Sequence, residues 1–405
     1  MEKTQKSMRL QIGLFGAVNS GKSSFLNLMS GQNVAITSQI AGTTTDVVEK
    51  SQELLPIGPV LWLDTAGFGD KTELSDERIK KTLKVMDRAD VAVLVSAGDD
   101  TVEIDAQILA EFRNRKIPVI RILNKADIYD YGTAEGIRVN SMDNESRDKV
   151  VSEFKEVLIK ICPDEFINPP TIFGDLVPEQ GVTILLVPID KEAPKGRLIL
   201  PQAQTIRDGI DHGQMMIVCQ ENNYKKALQN LKQQPNLVIC DSQIVDFMVE
   251  NTPKDIKCTT FSILFGRLKG DLYKFVEGAT YISKLKSGDK VLIAESCTHH
   301  AMEDDIAHVK IPNWLRKKTG ADLQIDYASG CDFPDNLSEY SLVIQCGGCM
   351  INRREVLSRV SKCESAGVPI TNYGVCISEL KGVLKKVLEP FGDIYQMYCD
   401  KTDLQ

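Results

Sequence analysis

Nowhere in the 405 residues does an apolar run approach the roughly 20 residues that a membrane-crossing helix needs. Residues 1–9 are polar, and no apolar core of a signal segment follows them. Both absences predict a cytoplasmic protein that works without a membrane. An excess of positive charge is missing too. The 48 basic residues stand against 56 acidic ones, and the resulting net charge of −8 argues against a broad nucleic-acid-binding surface. A disulfide framework is also not in view. The 11 cysteines are an odd number and begin only at Cys162, a distribution that fits reduced thiols or a metal site.

What is present describes an ordinary folded chain, 42% hydrophobic and 26% charged. Its length predicts two or three domains. Residues 10–15 form a short apolar run that leads into GAVNSGKS at 16–23, the GxxxxGK[ST] spacing of a phosphate-binding loop. The glycines let backbone N–H groups, those of Ser20 and Gly21 among them, turn inward around a phosphate. Lys22 reaches the β and γ oxygens, and the Ser23 hydroxyl ligates magnesium. Ser24 opens the helix whose positive end faces the same anion. The other parts of a nucleotide switch follow in order. GTTTD at 42–46 offers Thr43 and Thr44, with Thr44 the choice for magnesium and the γ-phosphate. LWLDTAG at 61–67 is a strand that delivers Asp64 to the metal and Gly67 to where its N–H senses the γ-phosphate. NKAD at 124–127 supplies Asn124, Lys125 and Asp127 at the end of a strand, and Ser141 follows as a loop residue over the base. A carboxylate at 127 accepts both N–H groups of a guanine edge, an arrangement adenine does not offer, so Asp127 selects GTP over ATP.

This order of motifs resembles the TrmE/Era branch of GTPases over about residues 8–162. The resemblance implies a P-loop fold, GTP hydrolysis to GDP and phosphate, and magnesium as cofactor. The residue after DTAG is Phe68, so the water-orienting glutamine of Ras-like switches is lacking. In the TrmE-like branch an asparagine in the phosphate loop helps bind potassium and a glutamate in the second switch orients water. Asn19 and Glu77 match those places, and Glu77 reads equally well as a solvated helix carboxylate beside Asp76 and Arg78. Lys22, Asn19, Thr44, Gly67 and Glu77 are thus the candidate catalytic set.

The helix expected over 147–161 ends in Cys162-Pro163, and Asn168-Pro169-Pro170 cannot continue it. Boundaries are therefore expected near 166 and near 270, giving 1–166, 167–270 and 271–405. In the middle segment, strand-like runs at 183–188, 215–220, 237–240 and 260–264 alternate with helical stretches and predict a small α/β domain. It has one histidine, His212, and its Cys219, Cys240 and Cys258 stand singly, which reads as core thiols rather than ligands. Without chemistry of its own, this segment is expected to pair two copies, with 195–211 as a candidate self-pairing surface.

From 272 onward the α/β pattern returns. A strand at 290–294 runs into ESCTHH at 295–300, and a strand at 340–344 runs into QCGGC at 345–349, ahead of a helix over 353–366. Loops at the carboxyl ends of strands are where open α/β sheets place ligands. Cys297, Cys346 and Cys349 form a metal corner, and the pair of glycines in CxxC lets backbone N–H groups approach sulfur. With His299 the set makes a Cys3His zinc site, and without it an iron–sulfur site. A redox CxxC is the remaining alternative. A GTPase domain, a middle domain and a terminal CxH…CxxC domain in this order resemble the HydF family of FeFe-hydrogenase maturation GTPases over essentially the whole chain.

The resemblance implies that the three cysteines hold a 4Fe-4S cluster, and that the protein is a scaffold for the diiron subcluster of the hydrogenase. Its partners would be the hydrogenase apoprotein and the radical-SAM maturases of the same pathway, with no nucleic acid. Where the family commonly has HCxxC, Gln345 replaces the histidine, so the fourth iron corner falls to Glu295, His299 or an exchangeable ligand. Cys331, Cys363 or Cys376 completing a four-cysteine set would contradict that opening. A rival of another class is a TrmE-like GTPase in tRNA modification with a structural zinc domain.

Overall fold

The computed structural model describes residues 6–31, 48–65, 75–98, 102–167, 170–188, 198–296, 305–330, 332–334, 336–348 and 350–403. The chain divides into two compact units, Met1–Pro169 and Pro170–Gln405.

The described residues of the first unit build a six-stranded sheet. Its elements in chain order are β1 (Leu10–Phe15), α1 (Lys22–Ser30), β2 (Val48–Leu54), β3 (Gly58–Asp64), α2 (Ser75–Arg88), β4 (Val91–Ser96), α3 (Val102–Asn114), β5 (Val119–Asn124), β6 (Ile137–Val139), α4 (Arg147–Ile161) and the single turn α5 (Asp164–Ile167). The strand order is β2-β3-β1-β4-β5-β6, parallel except for β2, which pairs antiparallel with β3 at the edge. β1 (LQIGLF) and β4 (VAVLVS) are buried at every position because helices cover both faces. Ile12, Leu14 and Trp62 pack with Phe25 of α1 and Phe154 of α4 on one face. Leu61 and Leu63 pack with Val85 and Met86 of α2 and Phe112 of α3 on the other. The edge strand β2 (VEKSQEL) is half-solvated and correspondingly polar.

The second unit holds two parallel four-stranded sheets. The first comprises β7 (Val182–Leu186), β8 (Met215–Cys219), β9 (Leu237–Cys240) and β10 (Lys257–Thr260) in the order β10-β9-β7-β8. Its helices are α6 (Leu200–Asp211), α7 (Glu221–Asn230), α8 (Val245–Asn251) and α9 (Phe261–Lys269). After α10 (Leu272–Ala279) comes the second sheet, with β11 (Lys290–Ala294), β12 (Gln324–Ala328), β13 (Leu342–Gln345) and β14 (Ile370–Asn372) in the order β12-β11-β13-β14. Here the helices are α11 (Ile311–Thr319), α12 (Arg353–Ser365), α13 (Tyr373–Leu380), α14 (Leu384–Leu388) and α15 (Gly392–Asp403). α9 bridges the sheets: it follows β10 of the first and packs on α12 and α13 of the second. One hydrophobic cluster therefore runs from Ile184 and Val238 through Leu264 to Val291 and Ile344.

One expectation is corrected. The run at 260–264 is not a strand: β10 ends at Thr260, whose Oγ1 accepts from the Ile263 N–H at 3.2 Å and starts α9. A short continuous apolar run does not distinguish a buried strand from a buried helix, and here the threonine N-cap decides. The proposed self-pairing stretch at 195–211 is helix from Leu200 on, and its first residues lie outside the described ones. Among the described residues no helix is long and apolar enough to cross a membrane.

Candidate functional site

The phosphate loop spans the end of β1 and the start of α1. Its backbone needs glycine at both ends. Gly16 has φ +143° and a Cβ there would lie 2.2 Å from the Val95 carbonyl oxygen; Gly21 has φ +93° and a Cβ would lie 2.1 Å from Asn124 Nδ2. Asn19, exposed at the loop's tip, takes φ 61° between them. Lys22 is buried, and its ammonium donates to the carbonyls of Gly16 at 3.2 Å and Ala17 at 2.9 Å, which holds the charge at the loop's centre. Burial pulls the Lys22 pKa down and the Asp64 carboxylate partly restores it.

Asp64 ends β3 beside α1. The Ser23 hydroxyl donates to its Oδ2 at 2.9 Å, and its Oδ1 is buried with no hydrogen-bond partner among the described residues. Burial pushes the Asp64 carboxyl up, against the hydrogen bond from Ser23 and the charge of Lys22. Two hard oxygen donors, one with a buried lone pair to spare, fit a magnesium ion. Ser20 likewise has a buried hydroxyl without a partner, and Ser24 is half-buried in the first turn of α1.

The base-side loop is tied to the phosphate loop through one side chain. Asn124 Nδ2 donates to the Ser20 carbonyl at 2.9 Å, and Asn124 Oδ1 accepts from the Ser141 N–H at 3.2 Å and its hydroxyl at 2.7 Å. Lys125 turns the chain with φ 56°, and Asp127 beyond it is exposed. The Tyr131 hydroxyl adds a strut that sequence reading missed: it donates to the Asn124 carbonyl and accepts from the Gly98 N–H at 3.2 Å. No spacing rule flags a tyrosine seven positions downstream. Thr43, Thr44, Gly67 and Phe68 lie outside the described residues; Glu77 falls on α2, with its side chain outside them.

The second site lies at the carboxyl ends of the neighbouring parallel strands β11 and β13, where Ala294 is level with Gln345. The ladder continues one step past the strands, since the Cys346 N–H donates to the Ala294 carbonyl at 2.8 Å. That register sets Cys346 against Ser296: its Sγ accepts from the Ser296 N–H and donates to the Ser296 hydroxyl, both at 3.1 Å. Glu295 is buried beside it, with Oε2 3.4 Å from His308 Nε2, and the His308 ring stacks on Tyr327 with centroids 4.2 Å apart. Gln345, in the place of the family's histidine, is buried with its Oε1 unpartnered among the described residues. Cys297, His299, Cys331 and Cys349 lie outside the described residues, and among those described no group of three or more metal-binding side chains forms. The remaining described thiols are buried, except Cys219, which is half-buried against the core. Burial pushes Cys258 up to about 11 and Cys363 up to about 12, and raises Cys240 and Cys376 as well.

Residues 172–270 match the hydrogen maturase F dimerization domain, and residues 273–390 match the hydrogen maturase F tetramerization domain. Between them they take in more than half of the chain. The chain belongs to the hydrogen maturase F (HydF) family. Ahead of those domains, residues 11–125 match the 50S ribosome-binding GTPase domain, so this HydF-family chain opens with a P-loop GTPase domain. Its curated relatives match that part. The tRNA modification GTPase MnmE of Zymomonas mobilis is 30% identical over 167 residues, 41% of this chain and 36% of its own length. GTPase Der of a Nitratiruptor species is 32% identical over 141 residues, 34% of this chain and 30% of its own. The chain thus spans about a third of the length of these relatives. Era in complex with MgGDPNP and a fragment of 16S ribosomal RNA is 17% identical, covering 54% of this chain and 95% of its own, with a TM-score of 0.32.

Proposed function

We propose that this chain hydrolyses GTP and serves as a scaffold that carries an iron–sulfur cluster and assembles or delivers the diiron subcluster of FeFe hydrogenase. The observation that carries the reading is Cys346: it receives an N–H on its sulfur at a strand-end edge beside a buried carboxylate, in a chain of the hydrogen maturase F family. An N–H aimed at sulfur stabilises a thiolate ligand.

In the GTPase domain, Lys22 would exchange its two loop carbonyls for the β and γ oxygens of GTP. Asp127 would accept the two N–H groups of the guanine edge, and Asn124 would hold base loop and phosphate loop in one register. Ser23 and Asp64, with Thr44, would hold magnesium, which when bound neutralises phosphate charge. Water attacks the γ-phosphorus and the bond to the β-phosphate oxygen breaks, leaving GDP and phosphate. Gly67 would donate its N–H to the γ-phosphate and Glu77 would orient the water. Asn19, in its turned conformation at the loop tip, is the residue offered to potassium.

Cys297, Cys346 and Cys349 would hold three corners of a 4Fe-4S cluster, with Glu295 or His299 at the fourth, and the cluster when bound would present an exchangeable iron to the diiron cargo. The partners proposed are the hydrogenase apoprotein and the radical-SAM maturases, and the working form is a homodimer. The described cysteines are all free, in keeping with a reducing cytoplasm. The tRNA-modification reading has support only from relatives that align with the first unit.

Anaerobic reconstitution with iron and sulfide, followed by optical and electron paramagnetic resonance spectra of wild type and Cys297→Ala, tests the proposal. A reducible cluster that the variant lacks is the expected result. Stoichiometric zinc and no cluster would overturn it.

A further inference from the structure

The CxxC loop is gripped by a residue outside the segment that carries it. Lys269, the last residue of α9, is 3% exposed, and its ammonium donates to the Gly348 carbonyl at 2.9 Å and the Ile351 carbonyl at 3.1 Å. Those carbonyls stand at the two ends of one turn, which is closed by the Ile351 N–H on the Gly348 carbonyl at 3.3 Å. The grip is reciprocal, because Arg353 at the start of α12 donates to the carbonyls of Leu268 and Gly270 on either side of Lys269. Lys269 lies in the stretch that matches the dimerization domain, and the turn lies in the stretch that matches the tetramerization domain.

We infer that Lys269 is a positioning residue for metal capture: by tying the carbonyls of Gly348 and Ile351 it pre-sets the loop that follows the Cys346 thiol. The inference rests on the reading of these thiols as metal ligands. Fixing a buried ammonium costs desolvation and four torsions of side-chain freedom, which two carbonyl hydrogen bonds offset only where the turn is held in one shape. A loop already shaped for its ligand loses less entropy when metal binds, and residues that orient ligands from behind contribute roughly 10- to 100-fold in metal affinity. The same contact joins the end of α9, a core element of the first sheet, to the cluster loop.

Co(II) binding to the metal-free full-length protein, followed through its thiolate charge-transfer band, tests this without relying on activity. Lys269→Met is expected to bind Co(II) about 10-fold more weakly than wild type, with an unchanged circular dichroism spectrum, and Lys269→Arg to recover part of the loss. Wild-type affinity in Lys269→Met overturns the inference. Amide exchange in the wild type gives a second measurement should Lys269→Met not fold. The Ile351 amide is expected to be protected already without metal, and protection that arises only on Co(II) binding overturns the pre-set turn. The functional reading fails separately: a Co(II) band that survives in Cys346→Ser removes the thiol as a ligand, whatever Lys269 does.

Discussion

Asp64 is a residue on which burial and function pull in opposite directions. Its folded pKa lies above its unfolded value because burial disfavours the charged carboxylate. Between the two values the folded state binds more protons, so its contribution to stability is greatest below the unfolded pKa and is lost as pH rises through the folded one. Asn at this position keeps an acceptor for Ser23 and removes the buried charge. In magnesium-free buffer, Asp64→Asn is expected to melt higher than wild type at neutral pH, with the difference shrinking as pH falls toward about 4; with magnesium restored, the variant is expected to lose GTP hydrolysis. A difference independent of pH would remove burial of the charge as its cause. Asp127 presents the complementary case, an exposed carboxylate whose proposed task is recognition of the base. Asp127→Asn is expected to weaken GTP binding by about 100-fold or more and to gain xanthosine triphosphate, which offers an acceptor where guanine offers a donor; equal loss of both nucleotides in a binding titration would sink the assignment. At this scale the phosphate loop was legible because phosphate geometry dictates its residue types at fixed spacing. Tyr131 and Lys269 were not, because each reaches its partner through tertiary packing and leaves no local pattern.

Elements were legible where one period dominated. The all-apolar β1 and β4 read as buried strands, and the KSSFLNLMS helix followed from its glycine-lined start. TFSILF at 260–265 misled because apolar continuity has no period, and only the hydrogen bond from Ile263 to Thr260 resolved it. α10 shows what sequence pattern leaves out altogether. It lies against β14, and a Cβ on Gly278 would sit 2.0 Å from the Ile370 carbonyl oxygen and 2.5 Å from its carbonyl carbon. That contact is with backbone, which has no side chain to swing aside. Alanine has the higher helix propensity, yet Gly278→Ala is expected to destabilise the second unit by about 1–3 kcal/mol. The chain's two tryptophans fall one in each unit, Trp62 and Trp314, so urea unfolding in a Trp62→Phe background isolates the transition. A variant as stable as wild type would mean that α10 can shift off the sheet at little cost.

For the whole molecule, the order of chemistry along the chain was readable, since each motif announces its own ligand. The joining of two four-stranded sheets into one hydrophobic cluster through α9 was not, because it depends on contacts between residues far apart in sequence. Assembly belongs to this scale as well. Among the described residues β8 lies at the edge of its sheet with β7 on one side only, and its sequence MMIVC carries neither the charge nor the proline that normally protects an edge. Met215 is 49% exposed and Val218 45% exposed, an apolar strand left open among the described residues, in the stretch that matches a dimerization domain. A second copy covering it would pair backbone and bury those side chains together. Val218→Lys places an ammonium in that contact and is expected to raise the dimer dissociation constant at least about 10-fold, the equivalent of about 1.4 kcal/mol, read by sedimentation velocity over a concentration series. The exposed position makes the substitution neutral for the fold itself. A dimer that persists in the variant at unchanged affinity would move the interface off this edge and onto another face of 172–270.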